Sequence, residues 1–196
     1  MELQSPLAIT GNAGALARVD AQVACLYHLA SLLDYPDVGV AHLEECTLFV
    51  GRELEEATDL LADWRHFLQT TPLEQMQEIY THTFDLNPVC TLDFSHYLFG
   101  EDYRRGVFLA HLRESMEEAG IDAGGELPDH LPVVLRWLAR IYGTELYQEM
   151  VTECILPALA KMEECFADGA NPYKGVVQTV ALYLERSLSS FEPAQT

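Results

Sequence analysis

Positive charge is scarce in this sequence. Its 196 residues hold 11 Lys and Arg against 31 Asp and Glu, a formal net charge of −20. Surfaces that bind nucleic acid draw most of their affinity from Lys and Arg neutralising phosphate. That class of partner is excluded, and the same field repels anionic lipid headgroups. Paired cysteines are also missing. Cys25, Cys46, Cys90, Cys154 and Cys165 are odd in number and form no C-x-x-C pair. This argues against a disulfide scaffold and against a structural zinc or iron–sulfur site, so the thiols are expected as core packing. No window approaches the roughly 18 apolar residues of a membrane span. No basic, then apolar, secretory signal opens the chain. A cytoplasmic setting is the expectation. The phosphate-cradling G-x-x-x-x-G-K-[ST] and G-x-G-x-x-G loops are absent. So are the G-x-S-x-G nucleophile elbow and the H-E-x-x-H zinc helix.

What is present is a core. Hydrophobic residues make up 49% of the chain, including 8 Phe, 9 Tyr and 2 Trp. An acidic disordered chain lacks such residues, so the charge must coat a folded body. Residues 1–100 carry net −12 and residues 101–196 net −8; the excess is spread, as on solvated helix faces. Leu16, Val19, Val23, Leu26, Ala30 and Leu33 recur at steps of three or four, which predicts an amphipathic helix from Ala15 to Asp34, ended by Tyr35-Pro36. Further helices are expected over 40–51, 53–69, 101–119, 131–142 and 173–190. One more starts at Thr71-Pro72-Leu73-Glu74, as a capping threonine with proline at the first helical position. Another, capped by Thr144, reaches Asp168 with a kink or break at Pro157. Residues 89–100 are apolar and aromatic, expected as helix or turn. No alternating strand pattern and no repeat is found. The expectation is a single all-α domain over residues 15–191, behind a flexible tail at 1–14.

Two segments are unusual for a plain helical bundle. The first, Tyr80 to Pro88, sets Asp85 beside Phe84 at a helix end. The second is Glu126-Leu127-Pro128-Asp129-His130-Leu131-Pro132. Its two prolines restrict the loop and reduce the entropy lost on binding. As structure alone, Asp129 caps the following helix and His130 satisfies a backbone carbonyl. As function, the acids pair the cations of a basic, apolar peptide while Tyr80, Phe84, Phe94 and Tyr97 line a groove. For metals, His42, Glu45 and Cys46 share one helix face at i, i+3 and i+4, and Asp93 and His96 are similarly spaced. In a chain with 31 acids and 7 histidines, ordinary surface and hydrogen bonding are expected there, and no metal site is assigned.

At these segments the chain resembles the TorD/DmsD/NarJ superfamily, also called the nitrate reductase delta-subunit family. The resemblance rests on Tyr80…Thr83-Phe84-Asp85, on the run from Phe94 to Gly106 (FSHYLFGEDYRRG), and on ELPDHL at 126–131. It covers roughly residues 18–190, with ELPDHL the most specific piece. The family's His-x-His-Gly-Glu type sequence is here His96-Tyr97-Leu98-Phe99-Gly100-Glu101. That form looks more like the chaperones of type II dimethyl-sulfoxide-reductase-family enzymes, whose clients include selenate, chlorate, dimethylsulfide and ethylbenzene-type oxidoreductases.

The resemblance implies an all-α, non-catalytic, cytoplasmic chaperone. It implies binding to the N-terminal, twin-arginine-type segment of an apo-molybdoenzyme catalytic subunit. It implies assistance to insertion of that client's bis-molybdopterin guanine dinucleotide cofactor before export or membrane attachment, with cofactor-biosynthesis proteins as further partners. The peptide-binding residues expected on this basis are Tyr80, Phe84, Asp85, Tyr97, Glu126, Leu127, Pro128, Asp129 and His130. Arg104 and Arg105 are expected to brace the acidic loop or to touch cofactor phosphates, with bracing favoured. The alternatives are a helical metal-binding protein or a permanent structural subunit of an oxidoreductase complex.

Overall fold

The computed structural model describes residues 7–86, 90–166 and 171–189, with side chains from Arg18 onward. The described residues form eleven α-helical segments, one π-helical segment and no strand. The spine is α1 (Leu7–Leu33), which packs against α8 (Leu131–Arg140) and α2 (Val40–Glu53). Its faces Cys25, Leu26, Leu29, Leu32 and Leu33 are fully buried. α8 is apolar almost all round and loses nine-tenths or more of the exposure of Leu131, Val133, Val134, Leu135, Trp137 and Leu138. That is the pattern of a central helix, and each such side chain contributes about 1.5–3 kcal/mol by leaving water. A layer of α11 (Tyr173–Ser189) on α10 (Leu156–Glu164), α3 (Ala57–Leu60) and α4 (Ala62–Thr70) closes the other side.

Several boundaries differ from the sequence reading. α1 already begins at Leu7, within the expected tail; residues 1–6 lie outside the described residues. The helix expected over 53–69 is instead α2 running on to Glu53, a turn, and the two short helices α3 and α4. The Thr71 cap does not form. Pro72 holds the cap position in extended geometry, and its carbonyl accepts from Gln75 and Met76 as α5 (Leu73–Phe84) starts. Proline at the cap leaves no N–H to satisfy there. Thr144 does cap α9 (Glu145–Glu149), its hydroxyl accepting from the Tyr147 amide at 3.2 Å.

Pro157 neither breaks nor ends its helix. The π-helical stretch Met150–Ile155 joins α9 to α10 and absorbs the missing donor by widening the turn just before the proline. α7 (Arg104–Glu118) ends at Gly120, whose φ of 71° lets Ile121 reach back to the Met116 carbonyl. The helix expected to reach Asp168 has its last described helical residue at Glu164, and residues 87–89 and 167–170 lie outside the described residues.

The described part of the apolar run 89–100, residues 90–100, contains one short helix, α6 (His96–Phe99). Its preceding residues are laid against the ELPDHL loop. Phe94 donates to the Asp129 carbonyl at 3.0 Å, and Leu131 donates to the Leu92 carbonyl at 2.9 Å. This single bridge joins two of the three segments that carry the family resemblance.

Candidate functional site

A cavity of about 820 Å³ opens where the end of α1, the start of α2, α5, α8 and the 122–130 loop meet. Tyr80 ties these elements together. It is buried, and its hydroxyl donates to the Leu33 carbonyl at 3.2 Å, taking up an end carbonyl of α1. The Tyr35 ring stands edge-on to it at 5.4 Å. Gln77 adds a bond to the Pro36 carbonyl at 3.0 Å. The apolar wall is therefore Tyr35, Val38, Tyr80 and Val133.

Most of the charged lining is acidic, with His42 and His130 beside it. Asp34, Asp37, Asp85, Asp122 and Glu126 face the cavity, and Arg136 is the one Lys or Arg among the lining residues. Arg136 forms an ion pair with Asp34. The Asp85 carboxyl lies above its ordinary value, first through burial and then through Glu126 beside it, with His130 pulling the other way. Burial also drives the Tyr80 hydroxyl upward, and Asp85, Asp34 and Glu126 push it further. Asp85 and Glu126 thus crowd one another beside an apolar wall, an arrangement that gains from an added cation.

Of the residues anticipated as peptide contacts, Tyr80, Asp85, Glu126 and His130 line this cavity together. The others do not. Asp129 faces away from the cavity and is fully buried. Its Oδ2 accepts from Ser95 Oγ at 2.5 Å and pairs with the Arg105 guanidinium at 2.9 Å. It is neither an open carboxylate nor the helix cap, which is His130. Arg105 also reaches Asp93 at 3.5 Å, and Asp93 approaches His130 Nδ1 at 3.5 Å. Asp93 is thus partnered by His130, while His96 is exposed.

Phe84 is buried in a cluster with Tyr80 and Tyr173, at 5.0 Å from each. Phe94 is fully buried. The Tyr97 hydroxyl bonds to both the amide and the carbonyl of Thr91, away from the cavity. Pro128 is buried, and Leu127 is exposed but outside the lining. Arg104 is exposed and pairs only locally, with Asp102 at 2.9 Å. The sequence reading missed Asp34, Asp37, Asp122 and Arg136. The one signal was the Tyr35-Pro36 stop, which marks where α1 ends without showing what that end faces.

His42 does meet Cys46, at 3.6 Å, and His28 also approaches the thiol, at 3.3 Å. Burial pushes the Cys46 thiol up. Among the described residues no group of three His, Cys, Asp or Glu side chains is arranged to hold a metal. Cys25, Cys46 and Cys90 are buried, as small apolar residues are, whereas Cys165 is exposed, against the expectation that all five pack in the core.

Residues 51–177, more than half of the chain, match the family described as Nitrate reductase delta subunit. The chain belongs to that family. The chain of this delta-subunit-family protein is 29% identical over 138 residues to the nitrate reductase molybdenum cofactor assembly chaperone NarJ of Escherichia coli (strain K12), which covers 67% of the chain and 57% of the relative. It is 33% identical over 78 residues to the probable nitrate reductase molybdenum cofactor assembly chaperone NarJ of Bacillus subtilis (strain 168), covering 38% of the chain and 42% of the relative. The chain thus matches about half the length of these relatives. Its all-helical architecture is the one the resemblance implied. Among the described residues no helix is long and apolar enough to cross a membrane.

Proposed function

We propose that this protein is a non-catalytic, cytoplasmic assembly chaperone for a molybdenum oxidoreductase. It binds the basic, apolar N-terminal segment of the apo catalytic subunit in the acidic cleft and assists insertion of the client's bis-molybdopterin guanine dinucleotide cofactor. The observation that carries this reading is the cleft itself: five carboxylates and one arginine around an apolar wall, built by segments that lie within or beside the family match. Carboxylate–guanidinium forks are strong and directional, and the Tyr35 and Tyr80 faces offer apolar contact to the residues that follow. Both relatives carry names that tie them to nitrate reductase. A nitrate-reductase-type client is therefore preferred over the selenate, chlorate, dimethylsulfide or ethylbenzene-type clients that the His96–Glu101 run suggested.

Calorimetric titration with a synthetic N-terminal peptide of such a catalytic subunit tests the reading. One-to-one binding is expected, weakening as salt is raised from ~0.05 M to ~0.3 M. Asp85→Asn and Glu126→Gln should each weaken it about three- to fivefold with the helical circular-dichroism signal intact. A folded protein that shows no heat with a soluble peptide sinks the proposal.

A further inference from the structure

The Arg136–Asp34 pair is out of place as a stability element. Both side chains are about one-third exposed, 33% and 35%. A pair so open to water holds a fold together weakly, because solvent screens the attraction and the long arginine side chain is immobilised. The backbone around it is held by other means, namely the fully buried flanks of α8 and the Tyr80 bond to Leu33. What the pair does accomplish is electrostatic. It sets the cleft's one lining guanidinium on one of its five carboxylates, while Asp85 and Glu126 stay in mutual repulsion. It also shows which chemistry Asp34 accepts: a guanidinium already sits on it.

We propose that Arg136 is the cleft's internal counter-ion and a specificity-determining residue, displaced from Asp34 by an arginine of the bound segment. This rests on the reading of the cleft as a peptide site and adds a rule for what enters it. A segment with one cation is served by Asp85 and Glu126, and Arg136 keeps its place. A second cation gains only by taking Asp34, and it must outcompete a group already there. Arg136, released, remains in a cavity that Asp37 and Asp122 also line, so it is not left in an apolar surrounding. The cleft therefore discriminates by the number and spacing of cations rather than by net charge alone.

The test uses two synthetic peptides, one with two arginines followed by apolar residues and one with the second arginine replaced by glutamine. Each is titrated against the full chain and its variants at low salt. Arg136→Gln is expected to tighten the two-arginine peptide roughly three- to fivefold and to leave the one-arginine peptide nearly unchanged. In an Asp34→Asn background the same substitution should change neither, since the effect acts through Asp34. Arg136→Lys, which keeps the charge, should stay near the parent, whereas Arg136→Met, which removes the charge and keeps the stem, should reproduce the selective tightening and serves if Arg136→Gln does not fold. The inference is overturned if Arg136→Gln weakens the two-arginine peptide, which would make Arg136 a direct contact. It is equally overturned if both peptides tighten alike, or if the gain persists without Asp34, which would make the effect a general field. Binding of neither peptide to the parent protein would instead remove the cleft reading itself.

Discussion

Asp129 shows how a loop can stand out in the sequence while the direction of its side chain does not. Its loop is unusual because the side chain is fully buried beside Arg105, with Oδ2 taken by Ser95 and the guanidinium and Oδ1 left without a hydrogen-bond partner among the described residues. Removing one member of such a pair strands a buried charge. Arg105→Ala should cost about 3 kcal/mol, read as a lower urea midpoint. Asp93 extends the network and adds a pH signature. Burial pushes its carboxyl up, but His130 and Arg105 pull it further down, to below its ordinary 3.8. A carboxyl depressed in the folded state contributes stability that is complete above the ordinary value and disappears as pH falls through the lower folded one. Denaturant titrations should therefore show stability lost below about pH 4, and Arg105→Ala should flatten that part of the profile. A profile unchanged by the substitution would separate Asp93 from the arginine.

At the scale of elements, the decisive contact is one that no hydrophobic pattern announces. Gly175 in α11 faces the C-terminal end of α3 so closely that an added Cβ would lie 1.9 Å from the Leu60 carbonyl oxygen. The neighbour is backbone, which cannot swing aside. Gly175→Ala should cost about 2 kcal/mol, lowering the melting temperature by roughly 4–8 °C despite alanine's better helix propensity. Gly51 in α2 is the control. A Cβ there meets nothing within 4 Å, so Gly51→Ala should raise the melting temperature by reducing the entropy lost on folding, worth about 0.5–1 kcal/mol. The long amphipathic helices were legible from spacing, because Leu26, Leu29 and Leu33 of α1 repeat at three and four. The split into α3 and α4 and the π-helical stretch before Pro157 were not, since both arise from how neighbouring helices must fit rather than from local pattern.

For the whole molecule, the net charge of −20 sets two opposed responses to salt. The excess acids repel one another in the compact state, and a cationic partner is drawn to them. Raising salt from ~0.01 M to ~0.1 M shortens the screening length from about 30 to about 10 Å. The melting temperature should rise over that range while affinity for the proposed basic peptide falls. Movement of both in the same direction would show that charge does not carry the recognition.

The sequence alone determined the class of this protein: all-helical, acid-coated, without a phosphate loop, and resembling the nitrate reductase delta-subunit family in three segments. Those properties follow from composition, periodicity and short motifs, which are local. Which acids line the cleft was decided by the tertiary structure. Asp85 and Glu126 line the cleft while Asp129, three residues from Glu126, is turned inward by Arg105, twenty-four positions away in the chain. Asp34 and Arg136 meet across 102 positions because α1 packs along α8. Side-chain direction in a loop and the pairing of distant charges depend on packing between elements, and no spacing rule along the chain contains that information.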